Sequence, residues 1–206
     1  RGSQIKVNYT ARSSHIAQIL ASTPSHGYLG FDYGKSDSLA NTDFECMVQQ
    51  GFTFFLQRGY VTWETDHQGI VHMVDPNMCA HLRRADMAGL ELKGVYVQPE
   101  PRHDAEFGTV VTSLKRELVN HCGAYADVPS FLSIFDADDT DSGWKDHHTL
   151  NRIWLEGFLK VCRKYFRTCG VLSSRSMWLK VFNEVSFSKA SPFKDVPLWY
   201  SNDGSK

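Results

Sequence analysis

The sequence predicts a parallel α/β fold, in which short buried strands alternate with helices. Three observations carry this expectation. Apolar runs recur along the 206-residue chain with helical stretches between them. The runs are continuous rather than alternating, as strands buried on both faces require. The strand-then-helix unit repeats five times, which calls for parallel strands joined by right-handed crossovers. A barrel and a doubly wound open sheet both satisfy that pattern.

The elements follow in order. "GYLGF" (27–31) is the first strand, ending at Asp32. Asn41 and Thr42 offer N-caps for a helix to Gln50, closed by Gly51. "FTFFLQ" (52–57) is a second buried strand, ending at Arg58. Asp75-Pro76 reads as a cap followed by an N1 proline, opening a helix to Gly89. "KGVYVQ" (93–98) is the third strand, stopped by Pro99 and Pro101. A helix from about Asp104 to Cys122 follows, with Val110, Val111, Leu114 and Leu118 at helical spacing. "FLSIFD" (131–136) is the fourth strand, and 147–165 the next helix, striped by Leu150, Ile153, Trp154, Phe158 and Val161. "CGVLSS" (169–174), a short helix over 175–182 and "VPLWY" (196–200) complete the pattern.

Composition narrows the function. The formal charge of −1 gives no reason to expect a nucleic-acid partner, and no apolar run is long enough to span a membrane. "GFDYGKSDS" lacks the glycine pattern of a dinucleotide loop, and Ser173-Ser174 lacks a nucleophile elbow. No C-x2-C pair exists, the aspartates miss the calcium-loop spacing, and His147-His148 are adjacent on a helix and do not share a face. No metal or cofactor is expected. The run Lys160, Arg163, Lys164 and Arg167 reads as pairing with a helix dipole. The odd count of five cysteines predicts two disulfides and one free thiol in a secreted protein, with Cys162 and Cys169 as one candidate pair.

In parallel α/β folds the ligand sits at the carboxyl ends of the strands. Those ends carry Asp32, Arg58, Gln98, Asp136 with Asp138, Ser173 and Tyr200. Crowded carboxylates push one pKa up, leaving a protonated acid beside an ionised partner, which is the equipment for glycoside hydrolysis. Tyr33, Tyr60, Trp63, Tyr96, Trp199 and Tyr200 are the aromatics available to stack on sugar faces. The plainer alternative is a solvated, capped aspartate loop with aromatics that only pack.

The order of these pieces resembles the glycoside hydrolase family 25 lysozymes, in particular their divergent nematode and amoeba branch. Asp32-Tyr33-Gly34 stands at the family's D-V-S motif, and "ECMVQQGFTFFLQRGY" is similar to its first helix and second strand, with Arg58 and Tyr60 at the matching arginine and tyrosine. "ADMAGLELKGVYVQP" resembles its A-G-L turn and third strand, "FLSIFDADD" its L-x-x-D-x-E strand, "CGVLSS" its G-x-Y-S strand and "VPLWYSN" its P-L-W strand. The resemblance implies an incomplete β/α barrel of five β/α units plus extra strands, over residues 27–206, with 1–26 as an extension. It implies a secreted protein acting on peptidoglycan, with Asp32, Asp136 and Asp138 as catalytic residues. Arg58, Tyr60, Tyr96, Gln98, Trp199 and Tyr200 would bind substrate.

The chain departs from the family where chemistry is done. Asp138 replaces the catalytic glutamate, retracting the carboxyl by roughly 1.5 Å, and a shift near that size costs about a hundredfold in rate. Leu172 stands where the family has a tyrosine. The expectation is therefore a weak or inactive muramidase serving as a glycan- or protein-binding module, with an active muramidase using Asp138 as the alternative. Arg1-Gly2-Ser3 reads as a cloning remnant, and Asn8-Tyr9-Thr10 is a glycosylation sequon. The family's closing segment beyond P-L-W is missing, so residues 4–26 or further sequence would have to supply that wall.

Overall fold

The computed structural model describes residues 30–33, 39–65, 69–98, 107–134, 144, 147–183, 193 and 195–200. Its strands are β1 (Gly30–Tyr33), β2 (Phe54–Thr65), β3 (Gly69–Val74), β4 (Leu92–Gln98), β5 (Ser130–Ile134), β6 (Cys169–Ser173) and β7 (Leu198–Tyr200). Its α-helices are α1 (Asn41–Gln49), α2 (Met78–Met87), α3 (Phe107–Glu117), α4 (His148–Tyr165) and α5 (Arg175–Phe182). The strands form one sheet in the order β1-β2-β4-β5-β6-β7, parallel throughout, with β3 antiparallel to β2.

The sheet curls into a half-barrel. Phe54, Leu56, Leu92, Tyr96, Phe131, Leu172 and Trp199 form a buried cluster drawn from strands alone. Phe54 of β2 lies 4.2 Å, centroid to centroid, from Trp199 of β7, at the far end of the strand order. A flat sheet would hold those rings about four strand spacings of 4.8 Å apart. The inner face makes room with glycine: a Cβ on Gly30 would stand 2.0 Å from Trp199 Cη2, and one on Gly170 would stand 2.5 Å from the Phe131 ring.

The outer face carries the helices. Val95, Val97, Leu132, Ile134 and Val171 alternate with the inward residues and pack under α2 to α5, against Leu82, Leu114, Phe158 and Phe182. A smaller cluster of Phe44, Phe52, Phe55, Ala85 and Leu90 seats α1. Two disulfides tie this layer down: Cys79–Cys122 joins α2 to the π-helical turn Leu118–Cys122, and Cys162–Cys169 joins the end of α4 to the start of β6. Cys46 is free and exposed.

Several boundaries differ from the sequence reading. β2 does not stop at Arg58. It continues to Thr65 and turns back as β3, a hairpin the sequence reading left out. The N-cap of α1 is Ala40, not Asn41 or Thr42, because the Asp43 carboxylate reaches back to the Ala40 N–H at 2.7 Å. Asp75 caps a turn rather than the helix itself: its Oδ1 accepts the Asn77 N–H at 2.9 Å, and α2 begins at Met78. The Phe107 helix ends at Glu117 and gives way to the π turn.

Candidate active site

Register places the site residues. Partners across parallel strands share a face. Asp32 pairs with Leu56, and Arg58 pairs with Tyr96. Leu56 and Tyr96 belong to the inner cluster, so Asp32 and Arg58 both stand on the concave face. Gly59 then forms a bulge between Arg58 and Tyr60, and the strand resumes with Tyr60 opposite Val97. Gln98 ends β4 opposite Val61, one step beyond Val97 and therefore back on the inner face. Asp32, Arg58 and Gln98 thus climb the interior toward the carboxyl ends of three neighbouring strands.

The other candidates divide. Tyr96 and Trp199 lie on the inner face but are buried, with 5% and 1% of their surface exposed, so they build the floor of the cleft rather than an open stacking wall. Tyr60 is buried in the outer core under the helices, turned there by the bulge, and is not gathered with Arg58 and Tyr96. Tyr200 ends β7, paired with Ser173. Asp136 and Asp138 lie outside the described residues. His147 and His148, set aside as metal ligands, have structural partners: His147 caps α4 through the Leu150 N–H, and His148 Nδ1 donates to the Val181 carbonyl at 3.0 Å.

Asp32 keeps exposed surface in the cleft, yet the surrounding walls exclude much of the water that would solvate its anion. That desolvation raises its pKa above the ordinary value of 3.8, opposed by a hydrogen bond from its own backbone N–H. Arg58 is held by the buried Asp75, Nη2 to Oδ2 at 3.3 Å. Two buried N–H groups on the inner face, Arg58 Nε and Trp199 Nε1, have no hydrogen-bond partner among the described residues.

One feature of the site was not read from the sequence. His81 of α2 is fully buried; its Nε2 accepts the Leu39 N–H at 2.9 Å and its Nδ1–H donates to Gln57 Oε1 at 2.8 Å. The Gln57 amide in turn donates to the Arg58 carbonyl at 3.0 Å. Arg84, one helical turn on, donates to the Leu39 carbonyl. Both backbone groups of Leu39, at the entry to α1, are therefore fastened to the helix behind Arg58.

Comparisons with known proteins agree with this geometry. Residues 26–206 match the family model described as lysozyme-like protein 1. A relative, the probable GH family 25 lysozyme 4 of Dictyostelium discoideum, is 26% identical over 182 residues, covering 86% of this chain and 72% of its own. A bacterial lysozyme from Streptomyces coelicolor has the same fold at 17% identity and a TM-score of 0.59, with 86% of this chain and 75% of that one covered. A family GH25 lysozyme from Aspergillus fumigatus does so at 20% identity and a TM-score of 0.58, with 82% and 74% covered. With one family model spanning nearly all of the curled parallel sheet and its helices, the chain belongs to the lysozyme-like protein 1 family and is a GH25 lysozyme-like protein.

Proposed function

We propose that this is a secreted lysozyme-like protein whose cleft holds β-1,4-linked amino-sugar strands, as in peptidoglycan, and cuts them weakly or not at all. The observation that carries this reading is Leu172. It stands where the family has a tyrosine, and it is fully buried on the inner face among Phe131 and Trp199. That position offers no hydroxyl to the cleft. Asp138, a methylene shorter than the family's glutamate, points the same way. Asp32, which keeps exposed surface on the concave face, supports retained sugar binding. Two disulfides among the described residues support an oxidising, extracellular setting.

The second reading, an active muramidase with Asp138 as general acid and Asp32 and Asp136 stabilising the cationic transition state, is favoured by the place of Asp32 on the concave face in β1. Clearing of a peptidoglycan suspension separates the two. The proposal expects little clearing by wild type, more by Asp138→Glu, and co-sedimentation of wild type with insoluble peptidoglycan or chitin. Robust wild-type clearing that Asp138→Ala abolishes would establish the active enzyme. Neither clearing nor glycan binding would point to a protein partner instead.

A further inference from the structure

The bulge at Gly59 interrupts the pairing of β2 with β4, and its carbonyls take partners from outside that pairing. The Gly59 carbonyl accepts the Asp75 N–H at 3.0 Å. The Arg58 carbonyl accepts the Gln57 side-chain amide at 3.0 Å. Asp75 also returns on Arg58 from the other end, Oδ2 to Nη2 at 3.3 Å. Arg58 is thus gripped twice, at its backbone by Gln57 and at its guanidinium by Asp75.

The first grip depends on which way the Gln57 amide points, since one end donates and the other accepts. His81 decides this. Its Nε2 accepts the Leu39 N–H, so its proton sits on Nδ1 and requires an oxygen opposite, which Gln57 Oε1 supplies at 2.8 Å. The Gln57 NH2 is left to face Arg58. The imidazole is itself confined, with the Tyr33 and Phe44 rings 5.6 and 6.1 Å away, centroid to centroid. Gln57 and His81 are fully buried, so bulk water does not replace a lost partner. Gln57 pairs with Val95, which faces the outer core, so the chain of bonds runs behind the cleft and not through it. Apolar side chains would fill this space as well. What the polar chain adds is direction.

We propose that His81 and Gln57 are positioning residues for the cleft: they fix the bulge that sets Arg58 on the concave face, and through it they set the affinity for a neutral amino-sugar chain. Neither touches the glycan. His81 acts through Gln57, and Gln57 acts through the Arg58 carbonyl. The affinity half of this inference rests on the reading that the cleft holds such glycans, and the bulge half does not. A donor set loosely by its supporting residues loses binding even when it is present.

Two readouts on folded protein at neutral pH test this, amide hydrogen exchange and binding to insoluble chitin, an uncharged glycan. The Asp75 N–H reports on the bulge, because it donates to the Gly59 carbonyl. Relative to the amides of the central strand β5, its protection should fall about tenfold in His81→Leu, which leaves Gln57 free to turn. His81→Gln carries one donor and one acceptor on its amide and should regain most of it. Leu82→Ala, a cavity in the same buried face of α2, should lower stability without this local loss. Chitin binding should follow the same order, roughly tenfold weaker in His81→Leu and largely rescued in His81→Gln, the scale of one hydrogen bond involving a charged group. Gln57→Met, which keeps the length and loses the amide, supplies the contrast if His81→Leu does not fold. Equal local losses in His81→Leu and Leu82→Ala would overturn the proposal. So would a loosened bulge with undiminished chitin binding. Wild type that binds no chitin, with exchange behaving as expected, would overturn the glycan reading and leave the bulge to His81 and Gln57.

Discussion

His81 Nε2 accepts the backbone N–H of Leu39 at 2.9 Å, across 42 positions of sequence. A backbone N–H can only donate, so that ring nitrogen carries no proton, and the single proton sits on Nδ1, facing Gln57. The imidazole is therefore neutral by geometry. Through Gln57 it also touches the carbonyl of Arg58. Leu39, at the entry to α1, and the strand that carries Arg58 are tied to one buried histidine.

This tie is sensitive to acid. Burial lowers the His81 pKa below 6.5; Asp75 pulls it back up and Arg84 pushes it further down. Below pH 6.5 the unfolded chain takes up a proton that the folded chain resists. Stability from this group is therefore present above that pH and lost as pH falls toward the folded pKa. The loss approaches about 1.4 kcal/mol per pH unit between the two pKa values. Urea midpoints of wild type should fall more steeply on acidification than those of His81→Gln. Parallel profiles for the two proteins would rule out this role for His81.

The Arg58–Asp75 pair predicts a large asymmetry. The Asp75 side chain is fully buried, while 15% of the Arg58 side chain is exposed. Asp75→Ala removes the partner of a largely buried cation and the acceptor of the Asn77 N–H together, and should cost about 3 kcal/mol or more. Asp75→Asn, which keeps an oxygen for Asn77, should cost clearly less. Chemical denaturation of both variants reads the difference, and equal costs would show that the oxygen kept for Asn77 contributes little beside the lost charge.

Trp199 predicts a coupling across the barrel. Its Cη2 occupies the space a Gly30 side chain would need. Gly30→Ala should destabilise by about 2 kcal/mol, within the range for overpacked cores. Trp199→Phe opens that space at its own cost, so the double variant should be less destabilised than the two single changes summed. Strict additivity in denaturation free energies would contradict the contact between β1 and β7.

Much of this frame was legible because burial on both faces leaves continuous apolar runs, as at Leu92–Gln98, and because caps are local. Gly51 and Gly89 do end their helices, at φ values of 86° and 92°. Cys162–Cys169 was legible from its separation of 7 residues. Cys79–Cys122, separated by 43, is set by how α2 packs against the π turn, which no local pattern displays. The β2–β3 hairpin was missed because polar residues interrupt it at Thr62, Glu64 and His72. The bulge at Gly59 then reverses the face of everything after Arg58. Asp32 could be read from its place at a strand end, but His81 could not, since its role depends on three elements meeting.

Asp32 should work against the fold that holds it. Its pKa is raised by desolvation, so the folded protein binds its proton more tightly than the unfolded chain does. For a group shifted in this direction, the favourable contribution is fully present below about pH 3.8, the unfolded value, and is lost as pH rises through the folded pKa. At neutral pH the anion is then a net burden on stability, retained where sugar hydroxyls or a developing positive charge can use it. Asp32→Asn keeps the shape and removes the charge. It should melt above wild type at about pH 7 and converge with it at about pH 3, where both side chains are neutral. The same variant should lose co-sedimentation with insoluble peptidoglycan. A melting temperature at neutral pH equal to or below that of wild type would show that the cleft solvates this carboxylate after all. Loss of stability and of binding together would assign Asp32 to holding the barrel rather than the glycan.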